Sequence, residues 1–145
     1  MKNRVAVLHG INLGALERRP AHHYGDLTFT QLEQRIGRFA RELDLQTSFF
    51  QTNHEGEFVE ELHKASDYAD GLILNPGAWT HYAWSLRDAL EISGLPAVEV
   101  HLSDVNAREA WRHVSVLEDV RFGKVSGKGV EGYRDALVLL KESFE

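Results

Sequence analysis

Two polar pairs in this 145-residue chain have the types and spacing for acid and base chemistry. In "VEVH", Glu99 and His101 lie two residues apart, so an extended backbone puts both on one face. A carboxylate beside an imidazole favours the protonated ring and fixes its orientation, which suits a general acid near neutral pH. A histidine simply bonded into a strand end fits the same spacing equally well. In "RRPAHHYGD", Arg18 to Asp26, a tyrosine follows two arginines. A phenol at its reference pKa is only ~0.1% ionised at pH 7 and is a poor base. A neighbouring guanidinium lowers an acidic group by roughly 1 to 3 units, so an arginine of this loop would make Tyr24 a usable one.

Other residues have the chemistry of binding. Asn75 closes the run "GLILN", and "NPGAWTH" delivers His81 close to the start of a helix. Neutral donors and a helix N-terminus suit hydroxyls and a carboxylate. Backbone amides just past His101, at Leu102 and Ser103, offer the same service.

These groups need a scaffold, and the apolar pattern supplies it. Short runs at Val5 to His9, Thr47 to Gln51, Gly71 to Asn75 and Ala97 to His101, with a fifth at Phe122 to Gly127, alternate with stretches of helical period. Leu32, Ile36, Phe39, Ala40 and Leu43 mark a helix over about 28–44, which "TFTQLE" would cap through Thr30 and Glu33. Phe58, Leu62, Ala65 and Ala69 mark a second helix, and Ala83, Leu86, Ala89 and Leu90 a third. A short helix is expected over Asn106 to Arg112 and a final one over Gly132 to Ser143. Strand and helix in alternation, with right-handed crossovers, give an α/β fold: a flavodoxin-like, doubly wound, five-stranded parallel sheet flanked by helices. Ligands in such folds sit beyond the carboxyl ends of the strands. Here those ends lead into "HGIN", "QTNHEG", "NPGAWTH" and "HLSD". The long connection over about 12–27, free of regular structure in this reading, is expected to be a lid.

Length and composition set further bounds. At 145 residues and 43% hydrophobic, the chain fits one domain, 1–145. A net charge of -6 disfavours nucleic-acid and anionic-membrane partners, while local arginines can still hold a small anion. The absence of cysteine removes disulfides, thiolate metal sites and thiol nucleophiles. The apolar run in "MKNRVAVLHG" is too short for a signal peptide or a span, so a cytoplasmic location is expected. The eight histidines include no pair at the helical spacing of a zinc motif, and no metal is assigned. "GKGVEG" matches G-x-G-x-x-G at Gly127, Gly129 and Gly132, but too few residues follow to complete a dinucleotide site. These glycines are read as turn residues, and G-x-S-x-G is missing altogether.

Taken in order, "HGINLGALERRPAHHYGD", "QTNHEGEFVEELH", "NPGAWTHYAWSLRDAL" and "PAVEVHLSDVNAREAWRHVS", with "GKGVEGY" beyond, resemble the type II 3-dehydroquinases, or 3-dehydroquinate dehydratases, over essentially the whole chain. The resemblance implies conversion of 3-dehydroquinate to 3-dehydroshikimate by anti elimination through an enolate. It implies no metal or cofactor, and assembly into a dodecamer built from trimers. Position by position it puts the base at Tyr24 and the arginine that supports it at Arg19. Asn12 would hold a water near the enolate oxygen. His101 would protonate the departing hydroxyl, oriented by Glu99. The substrate would be bound by Asn75, His81, the amides of Leu102 and Ser103, and Arg112, with Asp88 reaching the site of a neighbouring subunit.

The chain departs from the family pattern at Ile11, where proline is usual, at Glu17, where glycine is usual, and at "RRPA" in place of R-E-P. Thr52 and Asp104 also replace a usual serine and asparagine. Pro20 biases Arg19 towards an extended backbone and leaves Arg18 as its competitor. The competing functional reading is a non-catalytic flavodoxin-like binding or scaffold module. Its receiver form would want acidic residues where "HGIN" and Asn75 stand, and its flavin form a Ser/Thr/Gly phosphate loop after the first strand.

Overall fold

The computed structural model describes residues 1–145. Five parallel strands, β1 (Arg4–His9), β2 (Gln46–Gln51), β3 (Gly71–Asn75), β4 (Ala97–His101) and β5 (Gly123–Ser126), form one sheet in the order β2-β1-β3-β4-β5. That is the flavodoxin order. β3 and β4 are buried along their whole length, which is why "GLILN" and "AVEVH" read as near-continuous apolar runs: helices cover both faces. β2 and β5 are the edges and only partly buried.

Alternation splits the core in two. Val5, Val7, Ile73, Val98 and Val100 point to the side covered by α2 (Phe29–Glu42) and α5 (Glu131–Phe144). Ala6, Leu8, Leu72, Leu74 and Ala97 point to the side covered by α3 (Glu55–Lys64) and α4 (Trp84–Ser93). By the same period-2 rule Glu99 belongs to the second face, among small and polar neighbours rather than a full apolar layer.

Several local expectations change. α2 is capped two residues earlier than the sequence suggested: Thr28 accepts from the Gln31 amide at 3.1 Å and Gln31 returns a bond to the Thr28 amide at 3.0 Å. Thr28 is extended (φ -71, ψ 163) while Thr30 already lies inside the helix, so only Thr28 can reach the free amides of the first turn. The helix stops at Glu42, and Asp44 turns left-handed (φ 60) beyond it. The helix expected over Asn106 to Arg112 is instead two short 3-10 turns, Val105–Ala107 and Ala110–His113. They are separated at Arg108, whose extended backbone (φ -117, ψ -164) breaks the run.

The connection after β1 is also more ordered than expected. Leu13–Arg18 forms a 3-10 segment whose Leu13 and Leu16 are buried, and a single turn, α1 (Ala21–Tyr24), follows Pro20. Leu16 is anchored in the α2/α5 core, so the segment is pinned at its middle. Gly127 and Gly129 have positive φ (78 and 57), as turn glycines should, whereas Gly132 sits in α5 against Val125 and Val100. No helix is long and apolar enough to cross a membrane.

Candidate active site

At the carboxyl ends of β1, β3 and β4 the chain encloses a cavity of about 120 Å³. Its walls come from the loop after β1 (Asn12, Leu13, Arg19, Tyr24), the loop after β3 (Asn75, Gly77, Ala78, His81) and the segment after β4 (His101 to Ser103, Val105, Arg108, Arg112). Close backbone packing brings the first two together. Gly10 lies against the carbonyl of Pro76, where a Cβ would come within 2.3 Å of the oxygen, so only glycine fits. Asn12 has the left-handed backbone (φ 70) that asparagine tolerates better than most residues, and its amide donates to Asn53 Oδ1 at 2.9 Å.

Tyr24 stands on one wall with its hydroxyl oxygen held by two guanidiniums. Arg19 Nη2 donates to it at 2.5 Å and Arg108 Nη1 at 2.6 Å. The Arg19 guanidinium also lies over the tyrosine ring, 4.1 Å from its centre. Arg19 has the extended backbone its proline neighbour favours (φ -89, ψ 154), and Arg18, ending the 3-10 segment, is exposed and does not line the cavity. Two positive donors converging on a phenol oxygen solvate negative charge there far better than neutral ones.

His101 and its support form a second group. Glu99, 1% exposed, accepts from His101 Nε2 at 2.6 Å and Thr80 Oγ1 at 2.5 Å on one oxygen. On the other it accepts from Ser115 Oγ at 2.7 Å and Arg121 Nη1 at 2.9 Å. Burial alone would raise this carboxyl, but the hydrogen bond and charge of His101, then Thr80 and Ser115, bring it down to about 2. Glu99 is therefore a fixed anion with both oxygens doubly occupied. It holds the His101 ring by Nε2, and Nδ1 makes no hydrogen bond within the chain.

The same cavity is lined by further donors and acceptors. His81 donates Nδ1–H to the carbonyl of Val114 at 2.7 Å, which leaves Nε2 as an acceptor; burial holds this imidazole below the usual histidine range. Its ring stacks towards His101 with centroids 6.2 Å apart and an interplanar angle of 19°. The amides of Leu102 and Ser103 donate to no carbonyl or side chain of the chain. Arg112 is positioned by Glu109 (3.1 Å) and by stacking 4.1 Å from the Trp111 ring. With Arg19, Arg108 and Arg112 on its walls, the cavity is electropositive in an otherwise acidic protein, as a site for a small carboxylate should be. His, Asp and Glu side chains do not cluster in threes that could hold a metal ion.

Of the residues singled out from the sequence, Asn12, Arg19, Tyr24, Asn75, His81, His101, Leu102, Ser103 and Arg112 line this one cavity, and Glu99 lies directly beneath His101. Asp88 does not: it is exposed on α4, paired with Arg87 at 3.1 Å. His22 is exposed, while His23 is half-buried rather than fully exposed, its ring 4.0 Å from that of His22. The sequence reading does not include Arg108, Thr80, Ser115 or Arg121. Arg108 lies four residues before Arg112 in the same arginine-bearing segment, a faint signal; the Glu99 partners leave none.

The architecture is shared with solved structures. The type II dehydroquinase of Butyrivibrio crossotus superposes with a TM-score of 0.92 at 36% identity, covering 97% of this chain and 98% of that one. Among curated sequences, the 3-dehydroquinate dehydratase of Bacillus licheniformis is 45% identical over 133 residues, 92% of each chain. That of Anoxybacillus flavithermus is 43% identical over 142 residues, 98% of this chain and 96% of its own. Residues 3–141 match the family model described as dehydroquinase class II, and the chain belongs to that family.

Proposed function

We propose that the chain is a hydro-lyase that dehydrates 3-dehydroquinate to 3-dehydroshikimate. The observation that carries the reading is that two prepared groups line one cavity: a tyrosine oxygen held by two guanidiniums, and an imidazole held by a buried carboxylate. Tyr24, its oxygen held by Arg19 and Arg108, acts as the base that removes the proton next to the substrate carbonyl and forms an enolate. Asn12 holds a water near the enolate oxygen. The enolate then collapses and expels the hydroxyl, which His101 protonates as it leaves, with Glu99 stabilising the imidazolium form. Atoms balance: one C–H and one C–O bond break, one C=C bond forms, and water departs.

Arg112, Asn75, His81 and the free amides of Leu102 and Ser103 serve to bind the substrate carboxylate and hydroxyls. Asp88, exposed and outside the lining of its own cavity, is available to a neighbouring subunit, in keeping with a dodecamer built from trimers. The reaction belongs to a shikimate or quinate route in the cytoplasm. Mixing purified protein with 3-dehydroquinate and following the conjugated enone by absorbance tests the proposal. Growth of the enone signal supports it; a folded protein that gives none favours the binding or scaffold module.

A further inference from the structure

Below the cavity floor, on the α2/α5 side of the sheet, Asn75 rests on two polar groups that the reaction does not use, His9 and Tyr133. His9 and Asn75 are register partners on β1 and β3, and Tyr133 of α5 covers both. His9 and Tyr133 are fully buried. His9 Nε2 lies 2.8 Å from the Tyr133 hydroxyl, which lies 3.0 Å from Asn75 Nδ2. His9 Nδ1 is buried with no partner at all.

The direction of these bonds is fixed by a group outside the trio. The amide of Gly77 donates to Asn75 Oδ1 at 3.3 Å, and Gly77 is held there by a left-handed turn (φ 67) in which a Cβ would strike the carbonyl of Ile11. Reversing the Asn75 carboxamide would set its NH2 against that N–H, donor facing donor. Asn75 Nδ2 therefore faces Tyr133 and donates to it. With Asn75 donating, His9 Nε2 is the one acceptor among the hydroxyl's partners, so the Tyr133 O–H donates to it and His9 carries its single proton on Nδ1. Burial supports this neutral state at both ends: it lowers His9 to about 3 and raises the Tyr133 phenol above its usual value, against the pull of Asn75. The trio thus transmits orientation rather than charge.

We propose that Tyr133 and His9 are positioning residues: a one-way hydrogen-bond relay, Asn75 to Tyr133 to His9, that decides which faces of the Asn75 carboxamide a ligand in the cavity meets. Held this way, Asn75 has one further N–H and one further oxygen lone pair for a ligand in the cavity, a match for a substrate hydroxyl that both accepts and donates. The inference rests on the dehydratase reading for the identity of the substrate but not for the relay itself, and two measurements separate them.

First, in wild-type protein labelled with 15N-histidine, the solid-state nitrogen spectrum should show His9 with Nδ1 protonated and Nε2 bare at neutral pH. A protonated Nε2 overturns the relay whatever the protein catalyses. Second, Tyr133→Phe should raise KM for 3-dehydroquinate about five- to tenfold, the value of one hydrogen bond, with kcat changed less than about threefold. In an Asn75→Ala background the same change should alter KM less than about twofold, because its effect passes through Asn75. His9→Gln, which keeps an acceptor for Tyr133, should restore near wild-type KM where His9→Leu does not. Equal effects of Tyr133→Phe in both backgrounds would reduce Tyr133 to packing and overturn the proposal.

Discussion

Acidifying the medium should destabilise the fold through His9 well before the carboxylates are reached. His9 has no exposed surface, and burial lowers its imidazole from about 6.5 in the unfolded chain to about 3 in the folded one. The folded state therefore refuses a proton that the unfolded state takes up, so stability falls as pH drops below about 6.5 and goes on falling to about 3. The slope for one such proton is about 1.4 kcal/mol per pH unit, which amounts to roughly 2 kcal/mol between pH 7.5 and pH 5. Glu99 and Asp70, both lowered to about 2, add losses only below about pH 4.5. His81 and His23 are also lowered and act in the same window, so the comparison needs a partner variant. His9→Gln keeps an acceptor for Tyr133 without a titratable ring. Urea unfolding followed by tryptophan fluorescence, at one protein concentration from pH 7.5 to 5, should show wild type losing about 2 kcal/mol more than the variant. A difference that stays constant across the range would refute the reasoning, since His9 would then titrate alike in both states.

Other expectations test the site and its scaffold. Arg108→Ala and Arg19→Ala should each lower kcat on 3-dehydroquinate by about 10²-fold, the effect of removing one donor from a developing charge, whereas Arg18→Ala, at an exposed position, should change kcat/KM less than about twofold in the same steady-state assay. Glu99→Gln removes the anion that holds His101 and pairs with Arg121; unfolding curves should show a loss of roughly 3 kcal/mol, with kcat down by 10²-fold or more. Thr28→Ala should cost about 1 kcal/mol by denaturant titration without altering KM, while Thr30→Ala, inside the helix, should cost much less.

What the sequence made legible follows from where each interaction lies along the chain. Parallel strands covered on both faces must be apolar throughout, so "VAVLH", "GLILN" and "AVEVH" stand out, and polar residues clustered at their ends mark the rim. Glu99 and His101 are two residues apart, and Arg19 and Tyr24 five, so spacing alone proposes both pairs. Two residues decided the cap of α2: "TFTQLE" contains the pattern at Thr28 with Gln31 and again at Thr30 with Glu33, and only the backbone conformation at Thr28 distinguishes them. Arg108 meets Tyr24 across 84 positions, and His9 meets Tyr133 across 124. Contacts of that reach depend on how α5 and the segment after β4 close over the sheet, which no local pattern encodes. Arg108 also required a break between two 3-10 turns where helical period suggested a continuous helix.

Removing the Tyr24 oxygen tests the base most directly. Wild-type protein and Tyr24→Phe, both checked for native circular dichroism, are given 3-dehydroquinate and the conjugated enone is followed by absorbance. Wild type should turn over, and the variant should lose about 10²- to 10⁴-fold or more, because it keeps the ring beside Arg19 and Arg108 but has no oxygen to take the proton. Turnover by Tyr24→Phe at the wild-type rate would contradict the assignment of Tyr24 as base.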